Sequence, residues 1–187
     1  MTQRVPKAEL STEMSERMIE QFGTIPRPIE VLWNNPRVAM DNMELGSNVG
    51  AWDAADESLK SFAHLAVATR VGCSWCLDLG YFMALNQDLD MAKAGQVSRW
   101  RESELFTPLE RDVMEYAEAM TNTPPTVTDE LSAGLLDRLG PAAMVELTVF
   151  IAFSNFATRS NTALGIESQG FSAGCGIPAA ARPGTAA

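Results

Sequence analysis

Residues 70–81 read Arg-Val-Gly-Cys-Ser-Trp-Cys-Leu-Asp-Leu-Gly-Tyr and hold two of the three cysteines of the chain, Cys73 and Cys76, at C-x-x-C spacing. Two thiols this close can join in a small disulfide ring or bind one soft metal ion. Gly72 separates a long helical pattern from a second one that begins near Cys73. Unpaired N–H groups and the helix dipole stabilise an anion at a helix N-terminus, so at least one thiol could be activated.

Length, composition and charge describe a single globular domain. The chain has 187 residues, of which 46% are hydrophobic, and a formal net charge of −10. That charge repels phosphate backbones and anionic membranes, so we expect neither nucleic acid nor a membrane as partner. No apolar run reaches the ~18–20 residues of a membrane span, and no basic-then-apolar leader is present, which predicts a cytoplasmic protein. Three cysteines do not make a secreted disulfide framework, so the pair indicates redox chemistry or metal binding in a reducing compartment.

Helical periodicity and capping residues predict an all-α fold, and no convincing alternating strand is found. The predicted helices cover, approximately, residues 11–23, 28–33, 36–46, 54–71, 73–85, 88–97, 107–123, 128–140 and 141–164. The last is apolar on nearly every side, and such a helix is normally enclosed by its own domain or by another subunit. We therefore expect a homo-oligomer.

Composition divides the chain into three parts. Residues 1–35 are predicted to be an N-terminal helical extension, residues 36–169 the main domain, and residues 170–187 a coil tail rich in Gly, Pro, Ala and Ser. The third cysteine, Cys175, falls in this tail and is interpreted as a bystander or as a partner in an intersubunit disulfide.

Two interpretations of the cysteine pair compete with redox chemistry. A structural zinc site would have to use His64, Cys73, Cys76 and Cys175, or carboxylates, because His64 is the only histidine. No second ligand pair has the required spacing, so we predict no metal and no cofactor. Two cysteines three residues apart on a helix can also be inert parts of a core.

The chain resembles the carboxymuconolactone decarboxylase/alkylhydroperoxidase (AhpD-like) superfamily. The resemblance is carried by residues 65–76 and by the block at 145–166, with further familiar pieces at 107–111 and 127–130. It covers roughly residues 36–175, and this combination is far more specific than C-x-x-C alone.

This resemblance implies an all-α fold that is usually assembled as trimers, hexamers or dimers. It also implies a thiol-dependent peroxidase or disulfide oxidoreductase that reduces hydroperoxides and is regenerated by a dithiol or lipoyl partner. In the redox branch the second cysteine usually attacks the peroxide and the first forms the disulfide. Carried over, Cys76 would be peroxidatic and Cys73 resolving.

The chain departs from the redox branch at both proton-relay positions. Gly80 stands where that branch has a histidine, and Ser61 stands where it has a glutamate. Glu57, Ser61 and His64 share one helix face, so Glu57 or His64 could approach the dithiol from beside the vacated position. We predict His64 as the catalytic base, the alternative being a satisfied, partly buried histidine. Gly80 indicates either close helix packing or room for a substrate.

Other polar residues near the motif are assigned structural roles. Asp78 points roughly 200° around the helix from Cys76, and Arg70 is its predicted partner. On the last helix, structural hydrogen bonds to loops or to a second subunit are favoured over catalysis for Asn155, Arg159 and Asn161.

Two further functions stay open at this point. One is a carboxymuconolactone decarboxylase-type enzyme acting on a small carboxylated substrate, for which Arg70 and His64 are the obvious groups. The other is a catalytically decayed helical oligomer.

Overall fold

The computed structural model describes residues 3–87 and 89–175 and contains helices with no strand in that range. The helices are α1 (Thr12–Phe22), α2 (Arg27–Leu32), α3 (Pro36–Gly50), α4 (Glu57–Val71), α5 (Ser74–Asn86), α6 (Met91–Ala94), α7 (Pro108–Thr121) and α8 (Asp129–Leu164), with short 3-10 helices at Val97–Arg99 and Phe171–Cys175. The predicted all-α fold is confirmed. Asp88, predicted to open a helix, lies outside the described residues. The division at residues 35 and 169 stays a prediction.

Helix α4 is the centre of the bundle, packed against α5, α7 and α8. It buries apolar side chains around most of its circumference: Leu59, Phe62, Ala63, Leu65, Ala66, Val67 and Ala68. Leu147 and Ile151 of α8 and Val113 of α7 belong to the same core and are fully buried. Burying one such large aliphatic side chain contributes about 1.5–3 kcal/mol, so these contacts hold α4 and α8 at a fixed separation.

A buried cation strengthens the contact between α4 and α8. The ammonium group of Lys60 donates to the carbonyl of Trp52 at 2.7 Å and forms ion pairs with Glu57 at 2.9 Å and Glu146 at 3.2 Å. A buried ammonium is tolerated only where its hydrogen bonds are satisfied, and these three partners satisfy it. The register of α8 against α4 is therefore fixed by polar as well as apolar contacts.

The turn between α4 and α5 places the cysteine pair at a helix N-terminus. Gly72 ends α4 in the left-handed conformation with φ +77°, which side chains other than glycine rarely adopt. Cys73 follows as the N-cap of α5, and its sulfur accepts the N–H of Cys76 at 3.2 Å. The predicted helix start near Cys73 is confirmed.

Helix α8 combines two predicted helices. Gly140 has non-helical dihedrals (φ 75°, ψ 167°) and Pro141 follows it, so the predicted boundary survives as a break within one continuous element. By length and composition α8 could cross a membrane, since one 18-residue window has mean hydropathy 1.4. The expectation that no apolar run reaches that length is therefore wrong. In the bundle, one side of α8 packs against α4 and α7.

The C-terminal segment differs from its prediction. Coil was expected from residue 170, but Phe171–Cys175 form a 3-10 helix that packs on α5. The prediction is therefore wrong for those residues, and a Gly- and Ser-rich composition did not prevent ordering because α5 supplies partners for the backbone. Residues 176–187 and the side chain of Cys175 lie outside the described part of the chain.

Candidate active site

The two cysteines of the motif form a disulfide at the N-terminus of α5. Their Cα atoms are 5.3 Å apart. Cys73 is 1% exposed and Cys76 is 2% exposed, so the sulfurs are enclosed by the bundle. The predicted site residues Cys73 and Cys76 therefore lie together in a buried position beside α4 and α8.

Each sulfur has its own hydrogen-bond donor. Cys73 Sγ accepts from the main-chain N–H of Cys76 at 3.2 Å, whereas Cys76 Sγ accepts from the side-chain amide of Asn161 at 3.4 Å. Asn161 lies in the last turn of α8 and is 6% exposed. Donors aimed at a sulfur stabilise its anionic form, so donors in these positions favour the thiolates when the disulfide is reduced.

Sequence reasoning undervalued Asn161. Ser154, Thr158 and Asn161 are spaced four and three residues apart, so they form a polar line along one face of an otherwise apolar helix. All three are buried. The spacing in the sequence shows that these three residues share one helix face, whereas the contact of that face with Cys76 is visible only in the structure.

His64 contacts the backbone of the motif. Its Nε2 lies 3.2 Å from the carbonyl oxygen of Cys76 and its Nδ1 lies 3.3 Å from Ser154 Oγ. Because a carbonyl can only accept, Nε2 carries the proton, and Nδ1 accepts from the Ser154 hydroxyl. Burial lowers the pKa of His64, and the hydrogen bond to Cys76 only partly opposes this. The ring is therefore neutral at neutral pH, the form that can accept a proton.

The glycine at the vacated relay position makes room for this histidine. A Cβ added at Gly80 would lie 2.9 Å from Cδ2 of Leu65 and 3.0 Å from Cδ2 of His64. Of the two interpretations of Gly80, the structure favours close packing. The imidazole of His64, approaching from α4, lies directly against the position that the relay histidine of the redox branch would occupy on α5.

The second vacated relay position opens onto a polar cavity. Ser61 Oγ donates to the side-chain oxygen of Gln87 at 3.4 Å, and Gln87 donates to Glu57 at 3.1 Å. These residues line a cavity of about 190 Å³ that also includes Lys93. The Glu57 carboxylate is hydrogen-bonded to Gln87 and paired with Lys60, so of the two candidate bases His64 is the one that contacts the dithiol helix.

Asp78 does not pair with Arg70, and that prediction is wrong. The Arg70 guanidinium donates instead to Asn122 Oδ1 at 2.8 Å. The buried Asp78 carboxylate accepts six hydrogen bonds, at 2.7–3.0 Å, from Ser168 Oγ, the N–H groups of Gln169, Gly170, Phe171 and Ser172, and Ser172 Oγ. Burial alone would raise the pKa of Asp78, but these hydrogen bonds outweigh it and hold the pKa below its usual value. We call residues 168–172 the C-terminal strap.

The C-terminal strap covers the residue between the two cysteines. The indole N–H of Trp75 donates to Gln169 Oε1 at 2.9 Å, and the Phe171 ring meets the Trp75 ring edge to face at 6.3 Å. Ser168 N–H also donates to Ser74 Oγ at 3.3 Å. The N-terminal turn of α5 is thus closed from outside by a segment almost a hundred residues later in the chain.

Metal binding was the main alternative for the cysteines. Within residues 3–87 and 89–175, no group of three or more His, Cys, Asp or Glu side chains is arranged to hold a metal ion. The zinc alternative also drew on Cys175, whose side chain lies outside the described part.

Comparisons with known proteins agree with this architecture. Residues 36–119 match the carboxymuconolactone decarboxylase family. YnjA of Escherichia coli K12, an uncharacterised protein, is 35% identical over 123 residues, which are 66% of this chain and 66% of YnjA.

Two solved structures have a similar fold. A variant of the debrominase Bmp8 in complex with 2,3,4-tribromopyrrole has a TM-score of 0.78 at 18% identity, covering 93% of this chain and 95% of its own. An uncharacterised peroxidase-related protein with an alkylhydroperoxidase AhpD core, from Ralstonia eutropha JMP134, has a TM-score of 0.76 at 15% identity, covering 90% and 93%. At such identities these likenesses concern the fold. Residues 36–119 thus belong to the carboxymuconolactone decarboxylase family, and the helical bundle has the fold of an AhpD-like structure.

Proposed function

We propose that this protein is a cytoplasmic thiol-dependent peroxidase or disulfide oxidoreductase that uses Cys73 and Cys76. The observation that carries the proposal is the buried disulfide at the N-terminus of α5, in which each sulfur accepts its own hydrogen bond. Reversible closure of such a pair stores and releases two electrons. No bound cofactor is needed for this chemistry.

The peroxidase reaction takes two steps on the protein. The Cys76 thiolate attacks one oxygen of ROOH and the O–O bond breaks, which gives Cys76 sulfenic acid and an alkoxide that is protonated to ROH. The Cys73 thiolate then attacks the sulfenic sulfur and hydroxide leaves as water, which forms the disulfide. An external dithiol of the lipoyl class supplies two electrons and two protons to restore the thiols. Cys76 is assigned as the peroxidatic cysteine and Cys73 as the resolving cysteine by resemblance to the redox branch.

His64 is proposed to handle the proton of the first step. It is neutral at neutral pH because burial lowers its pKa, and it is held against the Cys76 peptide by the 3.2 Å hydrogen bond to the carbonyl. In this arrangement Nε2 carries the proton and donates it to the carbonyl, so His64 acts as the base only after reduction of the motif releases that hydrogen bond and the ring changes tautomer. The neutral imidazole then accepts the thiol proton and returns it to the alkoxide. Packing against Gly80 fixes the ring in this place.

Burial of the disulfide restricts what can reduce it. With both cysteines at most 2% exposed, a reductant reaches the sulfurs only when their cover opens. The C-terminal strap lies over Trp75, between the two cysteines, and is part of that cover. A flexible dithiol of the lipoyl type suits this site better than a flat protein surface does.

The experiment treats the reduced protein with a small alkyl hydroperoxide and follows it by mass spectrometry. We expect two thiols to become one intramolecular Cys73–Cys76 disulfide with release of one equivalent of alcohol. Cys76→Ser is expected to abolish peroxide consumption, whereas Cys73→Ser is expected to stop at the Cys76 sulfenic acid. Intact thiols in the unmodified protein after hydroperoxide would rule out the peroxidase, and intact thiols after a small disulfide as well would rule out the whole proposal.

The decarboxylase alternative has less support from the site geometry. It needs a cation for the substrate carboxylate, but Arg70 is engaged by Asn122 and His64 is neutral. Its distinguishing result would be turnover of a small carboxylated substrate by the variant that lacks both cysteines of the motif.

A further inference from the structure

We propose that Asn161 is a catalytic residue of the dithiol site, whose side-chain amide stabilises Cys76 as the attacking thiolate. This inference rests on the proposed redox function and deepens it. The reacting atom is Cys76 Sγ, and Asn161 Nδ2 is 3.4 Å from it.

The contact lies in an environment where a hydrogen bond has a large effect. Asn161 is 6% exposed and Cys76 is 2% exposed, so bulk water hardly screens the interaction. A buried amide without a partner would be costly. Here the described partner of the amide N–H is the sulfur itself, which ties the conformation of Asn161 to the reactive group.

The backbone holds Asn161 in place at the end of α8. Its carbonyl accepts the N–H of Ile166 at 2.9 Å, while Gly165 closes the helix in the left-handed conformation with φ 71°. The side chain is therefore presented to α5 by a fixed helix terminus. The amide is already aimed before the thiolate forms, which is what electrostatic stabilisation of a developing charge requires.

Asn161 also accounts for a choice between two otherwise similar thiols. The helix N-terminus supplies a main-chain N–H to Cys73 and would by itself favour Cys73 as the anion. The amide of Asn161 supplies the corresponding donor to Cys76. Because an amide does not titrate, this stabilisation persists across the physiological pH range and is independent of the protonation state of His64.

The test measures the alkylation rate of Cys76 against pH by peptide-resolved mass spectrometry, in the reduced Cys73→Ser background. Asn161→Leu removes the donor at similar volume, and we expect it to raise the pKa of Cys76 by about 1–2 units, the size expected for a hydrogen bond to a charged group. At a pH below the pKa of Cys76 in both proteins, alkylation should then slow by about tenfold or more. Asn161→Asp keeps the shape and adds a like charge, so it should raise the pKa at least as far.

The matched control is Asn155→Ala, which removes an amide of the same helix. Asn155 donates to Thr121 Oγ1 at 3.0 Å, away from the sulfurs, so the pKa of Cys76 should not change. If Asn161→Leu does not fold, Asn161→Asp decides the question. An unchanged pKa of Cys76 in a folded Asn161 variant would overturn the inference.

The proposed function fails on a separate result. If the unmodified protein does not form the disulfide with hydroperoxide although Asn161 lowers the pKa of Cys76, the peroxidase proposal falls and the role of Asn161 toward the thiolate stands. If the disulfide forms but the pKa of Cys76 does not change in the Asn161 variants, the peroxidase proposal stands and the role of Asn161 is ruled out.

Discussion

At the scale of single residues, the chemistry of the site depends on which helix supplies the histidine beside the two cysteines. The redox branch has a histidine where this chain has Gly80, and the structure packs the ring of His64 against that glycine. The imidazole is therefore still beside the dithiol helix, but it comes from the neighbouring helix. Its contact is with the carbonyl of Cys76, so its reach to the sulfur depends on how the motif rearranges on reduction.

We expect Gly80→Ala to be unfavourable, although alanine is the better helix former. The gain in helix propensity is about 1 kcal/mol, whereas overpacking a buried contact costs about 1–3 kcal/mol. The new Cβ would lie within 3.0 Å of both Leu65 and His64. The free energy of unfolding, measured in urea, should therefore fall by up to about 2 kcal/mol, and peroxide turnover should fall with it as the His64 ring is displaced.

The control for this prediction is Gly134→Ala. Gly134 also lies within a helix, but a Cβ there would meet only the end of the Arg138 side chain at 3.8 Å, an ordinary contact. This variant should be stabilised by up to about 1 kcal/mol. If both variants gain stability alike, the packing of His64 against Gly80 is not as described.

The sequence alone predicted that Cys73, Cys76 and His64 lie close together, because local spacing and helix periodicity determine which side chains share a face; their catalytic roles belong to the proposal. The sequence could not show that Asn161 lies beside the dithiol, because the contact with Cys76 joins residues 85 positions apart. The orientation of α8 about its own axis decides that contact, and no local pattern reports it. For the same reason the sequence could not decide whether Gly80 allows close helix packing or leaves room for a substrate. The two interpretations differ only in whether side chains of a neighbouring helix fill the space beside Gly80.

At the scale of elements, one carboxylate organises the end of the chain. Asp78 points away from Cys76 on α5, as the helix geometry predicted, and its partners belong to the C-terminal strap. Four consecutive main-chain N–H groups, from Gln169 to Ser172, converge on it. The C-terminal strap has a composition typical of coil, but it is ordered because its main-chain N–H groups share one buried acceptor, Asp78. The sequence of the tail alone could not identify this acceptor.

Asp78→Asn should release the C-terminal strap. The amide has one acceptor oxygen in place of two, and its NH₂ group would face N–H donors. We expect the free energy of unfolding to fall by about 2–4 kcal/mol, a loss typical of breaking a buried charged network. Hydrogen exchange at Gly170 and Phe171 should accelerate, and the disulfide should be reduced faster by a small dithiol. Asp112→Asn, which removes a partly exposed ion pair with Arg138, should cost at most about 1 kcal/mol.

The same carboxylate gives the strap a defined pH dependence. The pKa of Asp78 is lower in the folded chain than its ordinary value of 3.8. An unfolded chain therefore binds the proton first as pH falls, and the contribution to stability is complete above about pH 4 and lost below it. In Asp78→Asn this part of the acid destabilisation should be missing. An Asp78→Asn variant with unchanged stability and unchanged exchange would contradict the role of the carboxylate.

At the scale of the whole molecule, the remaining feature is an uncovered apolar face. Val145, Val149 and Phe156 lie along one side of α8 and are each at least 46% exposed, and Val38 and Leu45 of α3 are exposed as well. The two helices are neighbours, since a Cβ at Gly46 would lie 3.7 Å from the ring of Phe153. Single exposed apolar residues are ordinary, but a group on adjacent helices indicates an interface. We call the five exposed residues the apolar face.

We predict that the apolar face joins copies of this chain in a homo-oligomer. Val145 is 64% exposed, so Val145→Glu leaves the fold intact while placing charge in the interface. Light scattering at micromolar concentration should give an oligomer for the unmodified protein and a smaller species for the variant. Leu105→Glu, which replaces an exposed apolar side chain outside the apolar face, should leave the mass unchanged. A monomeric unmodified protein would contradict the prediction. So would association with neutral lipid vesicles that Val145→Glu abolishes, because α8 is long and apolar enough to offer this face to a bilayer instead.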